Sequence, residues 1–145
     1  MDNPIFDKIY QINCLTEEVD SLYHQAAVKL GVSDSVLFIL YMLYVNKEKC
    51  LLYDIYKLSG ISKQTINSAI RKLEQEDIVY LQKHNGKSKL VCLTETGKNY
   101  AKQTAGKLLD AECKAFSSWC REELDLYLQL IKKHNAELQK QIENL

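Results

Sequence analysis

The sequence has little that would interrupt or cross-link a chain. Of its 145 residues, one is proline and five are glycine. Because the proline stands at position 4, the rest of the chain is free to form long helices. The five cysteines are odd in number and include no CxxC pair, a pattern that gives little support to a disulfide framework or zinc finger and predicts reduced thiols.

Long apolar segments are missing too. The longest run extends over ten residues from Val36 to Val45, whereas a helix needs ~20 to cross a membrane. The first residues, MDNPIFDK, have neither the basic start nor the apolar stretch of a secretory signal. We therefore expect a cytoplasmic protein that does not bind membranes, in which the apolar run is a buried helix.

The chain as a whole has no excess charge of either sign, since 19 Lys and Arg residues balance 19 Asp and Glu residues. Its segments nevertheless differ. Residues 1–60 have a net charge of −3, residues 61–102 one of +4 and residues 103–145 one of −1. The basic surplus is confined to the middle of the chain, which is where a polyanion would bind.

Two long helices are predicted before the basic segment. Asn3 and Pro4 are typical of a helix start, and apolar residues then recur at spacings of three and four as far as Gly31, a suitable helix end. Ser33, Asp34 and Ser35 supply caps for the next helix, which contains the apolar run and is apolar on nearly all sides. We expect this helix to be the centre of the core, with a polar turn after it at residues 46–49.

The basic segment has the pattern of two short helices and a hairpin. Residues 51–58 and 62–77 are predicted helices, separated by Ser59-Gly60-Ile61. Two strand-like runs follow, IVYLQK and KLVCLT, and Asn-Gly between them is a hairpin signal.

Two further helices are predicted after Glu95, with an interruption at Ser117 and Ser118 and an apolar stripe from Leu124 to Leu145. The predicted fold class is mainly α with a small β-hairpin.

The predicted helix at residues 62–77 has two chemically distinct faces. At 100° per residue, Ile66, Ala69, Ile70 and Leu73 share one apolar face. The opposite face and its flanks carry hydroxyls, amides and cations, which are groups that bind base edges and phosphates in a major groove. These candidate DNA-binding residues are Ser62, Lys63, Gln64, Thr65, Asn67, Ser68, Arg71 and Lys72. The alternative is an ordinary solvated amphipathic helix.

The hairpin that follows favours DNA binding. No acidic residue lies between Asp77 and Glu95. A hairpin directly after a DNA-binding helix is placed to contact the minor groove or the neighbouring phosphates, whereas the alternative is a solubilising basic turn. The candidate contacts of its tip and return strand are Asn85, Lys87, Ser88 and Lys89.

In these segments the chain resembles the MarR family of bacterial winged-helix regulators. The stretch LSGISKQTINSAIRKLEQEDIVYL is similar to the family's second and third helix-turn-helix helices, with YHQAAVKLGVSDSVLFILYMLY upstream of them. HNGKSKLVCLTETG is similar to its wing, which closes at Leu93, Thr94 and Gly97. The order of the predicted elements extends the resemblance from end to end.

The resemblance implies a winged helix-turn-helix DNA-binding lobe at residues 33–97 and a helical dimerisation region made of residues 1–32 and 98–145. It implies a homodimeric transcriptional regulator, expected to be a repressor that a small ligand releases. Two recognition helices on a two-fold axis would bind a pseudo-palindromic double-stranded DNA site with half-sites ~34 to 36 Å apart. No cofactor, metal or catalytic residue is expected.

The wing departs from the family's pattern. Many relatives have an Asp-x-Arg pair there, whose Arg enters the minor groove, but this chain has Asn85, Gly86 and Lys87 at that place. Lys is more strongly hydrated than Arg and lacks its planar fork. We therefore expect phosphate contacts from the wing and weaker recognition of minor-groove shape.

Family members commonly bind small aromatic or anionic effectors in a cleft between the dimerisation helices and the winged-helix lobe. The matching residues here are Tyr10, Tyr23, His24, Phe38 and Tyr41. For each of them the alternative is plain core packing.

One branch of the family senses hydroperoxides through a cysteine in the first helix, and Cys14 lies in that region. Because Glu17 and Glu18 are close and a reactive thiolate needs a nearby cation or helix N-terminus, the alternative is an inert buried thiol.

Two other classes of function compete with operator binding. A winged-helix lobe can be a protein–protein interaction module, which would not need the cations Lys63, Arg71, Lys87 and Lys89. The other class is an enzyme, which the sequence disfavours. Its three histidines are scattered, and it has no Gly-rich phosphate loop, GxSxG elbow or metal-ligand spacing.

Overall fold

The structure, a computed structural model, describes residues 3–145, so that Met1 and Asp2 of the predicted dimerisation region lie outside the described residues. Within this range the helices are α1 (Phe6–Leu30), α2 (Asp34–Val45), α3 (Leu52–Ser59), α4 (Lys63–Gln75), α5 (Glu95–Ala101), α6 (Lys107–Phe116) and α7 (Arg121–Glu143). A π-helical turn, Lys102–Gly106, lies between α5 and α6. The strands are β1 (Lys49–Leu51), β2 (Val79–Lys83) and β3 (Lys89–Leu93). The predicted fold class is confirmed.

The described chain divides into two compact units, residues 3–108 and residues 109–145. In the first, α2 is the central element, as its nearly uniform apolarity predicted. Its side chains Ile39, Leu40 and Leu43 are fully buried. They belong to one hydrophobic cluster with Ile55, Ile66, Leu73 and Val91, among others.

The first helix begins two residues later than predicted. Asn3 Oδ1 accepts a hydrogen bond from the N–H of Ile5 at 3.1 Å, and the carbonyl of Asn3 accepts one from Phe6 at 2.9 Å. Because the Asn3 side chain bonds only two residues along the chain, it closes a turn in front of α1 and does not cap the helix itself. The predicted end is confirmed, since Gly31 has a φ of +72° and donates to carbonyls of α1.

The sheet has three strands where the sequence predicted a two-stranded hairpin. Its order is β1-β3-β2, and both pairs are antiparallel, so that Cys50 and Leu81 lie on either side of Val91. The first strand takes Lys49 from the predicted polar turn and Leu51 from the predicted helix. Three residues are too few for an alternating pattern, and their partner strand is distant in sequence, so the local pattern did not indicate β1.

The segment after α4 is held against the start of α5. The predicted helix to about residue 77 ends at Gln75, because Asp77 has a left-handed φ of 57°. Thr94 Oγ1 donates to the carbonyl of Asp77 at 2.6 Å and accepts from the N–H of Gly97 at 2.9 Å. A Cβ atom on Gly97 would lie 1.9 Å from the carbonyl oxygen of Ile78. The Leu-Thr-x-x-Gly pattern therefore fixes a close backbone approach.

In the second unit, a turn at residues 117–119 precedes α7 and confirms the predicted interruption. The ring of Trp119 lies 5.0 Å from that of Phe116 and 5.4 Å from that of Tyr127, centroid to centroid. Glu123 Oε1 accepts a hydrogen bond from the N–H of Cys120 at 3.0 Å and so caps α7.

None of the helices in residues 3–145 is by itself long and apolar enough to span a membrane. Only α1 and α2 taken together, with a 90° bend between them, have the required length and composition.

Candidate nucleic-acid interface

Eight of the candidate DNA-binding residues belong to α4 and its N-cap. Seven are exposed, namely Ser62, Lys63, Gln64, Thr65, Ser68, Arg71 and Lys72, and the eighth, Asn67, is half-buried. The predicted apolar face of the same helix is buried. The exposed side chains therefore face away from the core, as binding in a DNA groove requires.

The N-terminus of α4 is well defined. Gly60, with a φ of +63°, makes the turn between α3 and α4. Ser62 Oγ then accepts from the N–H of Thr65 at 3.2 Å and donates to Thr65 Oγ1 at 2.9 Å. The first turn of a helix keeps N–H groups without helical partners and a partial positive charge, which suit a phosphate oxygen.

Tyr56, on α3, contacts two of the candidate residues and was missed by the sequence analysis. Its hydroxyl donates a hydrogen bond to Asn67 Oδ1. Lys63 Nζ lies 5.4 Å from the centroid of its ring. Tyr56 precedes the Gly-containing turn and has no periodic relation to α4, so only the tertiary structure reveals these contacts.

The wing, residues 79–93, consists of β2, a loop and β3. Asn85, Lys87, Ser88 and Lys89 are all exposed in it. In the loop, His84 donates its N–H to the carbonyl of Ser88, and Ser88 to that of Asn85, both at 3.0 Å. Gly86 has a φ of +59° at the tip.

The strand register adds one cation to the candidate residues of the wing. Lys83 lies directly opposite Lys89 across β2 and β3, and both are exposed. Like charges in such a pair destabilise a hairpin slightly, and an anionic partner bound between them would offset that repulsion. The strand-like pattern of IVYLQK indicated β2, but only the register shows that its last lysine faces Lys89.

The surface formed by α4 and the wing exposes six cations. They are Lys63, Arg71 and Lys72 on α4 and Lys83, Lys87 and Lys89 on the wing. Within residues 3–145, the lysines and arginines that form ion pairs are Lys98, Arg121 and Lys140. None of the six interface cations is among them. An uncompensated group of this kind attracts polyanions and releases their counterions.

The candidate effector residues lie on α1 and α2. Tyr10 is the most exposed of them, while Phe38 and Tyr41 are half-buried and pack against the core. His24 Nδ1 lies 2.9 Å from Asp34 Oδ1 and so links α1 to the first turn of α2. Core packing is thus part of the role of Phe38 and Tyr41, and the effector assignment remains a prediction.

The cysteines fall into two groups. Cys14, Cys113 and Cys120 are exposed, whereas Cys50 and Cys92 are buried. Burial and, to a lesser extent, the charge of Asp54 raise the pKa of the Cys50 thiol. The sensor function of Cys14 remains a prediction, but its exposure does not fit the alternative of a thiol buried within the chain. In the part of the chain that the structure describes, no group of three or more His, Cys, Asp or Glu residues could hold a metal ion.

Comparisons with known proteins agree with this geometry. Residues 30–88 match the model of the MarR family. Among solved structures, NMB1585, a MarR family regulator from Neisseria meningitidis, is 20% identical with a TM-score of 0.76, over 99% of this chain and 100% of that one. A search of curated proteins found no match.

Two further solved structures contain bound molecules. A putative MarR family transcriptional regulator from Listeria monocytogenes, complexed with 26mer DNA, is 17% identical with a TM-score of 0.68, over 90% of this chain and 87% of that one. NadR, in complex with 4-hydroxyphenylacetate, is 17% identical with a TM-score of 0.67, over 91% of this chain and 92% of that one.

The family match covers the end of α1, the core helix, the helix-turn-helix and the first part of the wing. The likeness of fold extends over nearly the whole chain. The resemblance to the MarR family is therefore confirmed: residues 30–88 match that family, and the chain as a whole has the winged-helix fold of its regulators.

Proposed function

We propose that the protein is a transcriptional regulator, not an enzyme, that binds double-stranded DNA. In this proposal α4 lies in the major groove, and the wing contacts the phosphates or the minor groove. The observation that carries it is the exposed polar face of α4 together with six unpaired cations on α4 and the wing. The DNA complex of the similar Listeria monocytogenes protein supports the same use of this fold.

We further propose that the protein acts as a homodimer. Large apolar side chains are exposed along two helices, including Ile9, Leu15 and Val19 on α1 and Leu128 and Ile131 on α7. Exposed apolar faces of this length indicate association with another chain. We assign residues 1–32 and 98–145 to the dimerisation region and residues 33–97 to the DNA-binding lobe. The two copies would bind the half-sites of a pseudo-palindromic operator.

Regulation is proposed to work by repression in the cytoplasm, with release of the DNA when a small aromatic or anionic effector binds. The complex of the similar protein NadR with 4-hydroxyphenylacetate supports this class of ligand. The candidate contacts are Tyr10, Tyr23, His24, Phe38 and Tyr41. Oxidation of Cys14 is a second route of release, and mass spectrometry after mild peroxide treatment tests it. An unmodified Cys14 with unchanged DNA binding would exclude this route.

A titration of the full chain with two labelled duplexes tests operator binding. One duplex covers the DNA immediately upstream of the coding region, and the other is its scrambled counterpart. We expect nanomolar binding to the first, weaker binding to the second, and a steep loss of affinity for both as salt rises. Equal affinity for both duplexes, or none, would contradict the proposal. Absence of binding to either duplex would favour the alternative of a protein–protein interaction module.

A further inference from the structure

Tyr56 lies where α3 meets α4 and contacts both of the candidate residues on one flank of the DNA-binding helix. Its hydroxyl donates to Asn67 Oδ1, and its ring lies beside Lys63 Nζ. The ring itself is half-buried and packs against the hydrophobic core. Because its ring is held by the core, Tyr56 restricts the side chains of Asn67 and Lys63, which it contacts.

The hydrogen bond to Tyr56 determines which end of the Asn67 amide is available to a ligand. An asparagine amide has an acceptor oxygen at one end and two N–H donors at the other. A bidentate contact with adenine needs both ends, because Oδ1 accepts from N6 while Nδ2 donates to N7. With Oδ1 directed at Tyr56 and one of its two lone pairs occupied, Asn67 presents mainly its Nδ2 donors to a ligand.

We propose that Tyr56 is a positioning residue of the DNA interface, which orients Asn67 to donate to an acceptor on a base edge in the major groove. Guanine, with its O6 and N7 acceptors, and thymine, with its O4 acceptor, present suitable edges, whereas a bidentate adenine contact requires Oδ1 to leave or share its hydrogen bond with Tyr56. The inference rests on the proposed function and adds to it a specificity-determining contact.

The ring of Tyr56 has a separate effect on Lys63. Lysine is a compact cation on a flexible four-carbon stem, so a free Lys63 loses conformational freedom when it binds a phosphate. The contact between its ammonium group and the aromatic ring restricts that freedom beforehand. The hydroxyl thus affects base preference, whereas the ring affects affinity for all sequences.

Three variants separate these two effects in the full-length protein. Tyr56→Phe removes the hydroxyl and keeps the ring, Tyr56→Leu removes both, and Asn67→Ala removes the oriented amide. Tyr53→Phe is the matched control, since Tyr53 also lies on α3 but is 68% exposed. The wild-type chain first selects duplexes from a randomised pool, and the affinity of each variant is then measured for the selected duplex and its single-base changes.

We expect Tyr56→Phe to change the preference at one base pair of each half-site by about tenfold, because the freed amide can rotate and accept from adenine. The dependence on salt stays unchanged. When Asn67→Ala is already present, Tyr56→Phe is expected to cause no further change in base preference. If Tyr56 had only a structural role, its effect would persist without the Asn67 amide. Tyr56→Leu additionally weakens binding to every duplex several-fold. Tyr53→Phe behaves as the wild type.

Identical base preferences of the wild type and Tyr56→Phe overturn the inference and leave the proposed function intact. So does an effect of Tyr56→Phe that persists in the Asn67→Ala background. If the wild type enriches no duplex at all, the proposed function itself fails. Thermal unfolding of each variant confirms that the compared proteins are folded, and Tyr56→Phe preserves the packing of the ring.

Discussion

Single residues of the interface differ in the kind of DNA contact they can make. Lys87 stands at the tip of the wing, where an exposed ammonium group suits a phosphate oxygen. Arg71 lies in the middle of the polar face of α4, and its planar guanidinium group suits the O6 and N7 atoms of guanine. We therefore expect different consequences when either is removed.

The substitution Lys87→Ala tests the phosphate contact. It should weaken binding to operator and scrambled DNA alike and reduce the slope of log affinity against log salt by about 1, since one fewer counterion is released. Titrations at two salt concentrations measure the slope. The control is Lys133→Ala, which removes an exposed lysine of α7 and is expected to leave the slope unchanged.

For Arg71→Ala we expect a loss of about 1–3 kcal/mol in operator binding and a relaxed preference at one base pair. The neighbouring substitution Lys72→Ala, which also removes one positive charge, is expected to weaken binding to all sequences alike. Competition titrations with single-base operator variants compare the two. Uniform weakening by Arg71→Ala would show that this residue contacts phosphate only.

For single residues of α4, helical periodicity in the sequence predicted which side chains are buried and which are exposed. It did not predict contacts between residues of different helices. The wheel separated buried Ile66 and Leu73 from the exposed polar side chains, because both sets lie on one regular helix. Asn67 was placed among the polar residues, yet it is half-buried because Tyr56 of another helix binds it. No local pattern contains that pair.

At the scale of secondary-structure elements, the junction of the wing and α5 is tightly constrained. Gly97→Ala places a methyl group against the carbonyl of Ile78, which neither backbone can avoid without a shift. We expect it to lower the free energy of unfolding by about 1–3 kcal/mol, the usual cost of overpacking. Denaturant unfolding measures this change. Thr96→Ala, at an exposed neighbouring position, is expected to change it by less than about 0.5 kcal/mol.

The cap of α7 is expected to depend on pH. The hydrogen bond from the N–H of Cys120 lowers the pKa of Glu123 below its ordinary value of 4.5. The cap is therefore fully formed above that value and is lost as the pH falls through the lowered pKa. The amide proton shift of Cys120, followed by NMR, reports the transition. In Glu123→Gln, which keeps an acceptor without a charge, the transition is absent.

Elements with strong local signals were predicted well, and those set by distant contacts were not. Gly31, Ser33, Ser62 and the Asn-Gly of the wing marked their helix ends and hairpin correctly. The strand β1 was missed because it forms through pairing with β3. The π-helical turn was also missed. In this turn the ring of Tyr44 packs closely against Gly106, and a Cβ atom on Gly106 would lie 3.2 Å from that ring.

For the whole molecule, the zero net charge conceals a local excess. The segment with a surplus of four positive charges contains both the polar face of α4 and the wing. Apart from Lys102 of the π-helical turn, the cations of this segment that form no ion pair belong to these two elements. We therefore expect affinity for DNA that is confined to one surface and sensitive to salt.

The proposed assembly is tested on α7. Leu128→Lys places a charge within the exposed apolar stripe and is expected to shift the protein from dimer to monomer, since burying an unpaired ammonium group is costly. Sedimentation velocity measures the shift. Gln129→Lys introduces the same residue one position away, outside the stripe, and should leave the dimer intact. A monomeric wild type would contradict the assembly.

The bond between Thr94 and Asp77 and the close approach of Gly97 to Ile78 have a consequence for the DNA itself. They keep the end of α4 and the wing at a set separation, so a duplex whose grooves do not fit that separation must bend or change its groove width. The cost of such a deformation depends on base pairs that no side chain touches. We therefore expect the operator to be distinguished partly by the stiffness of its uncontacted steps.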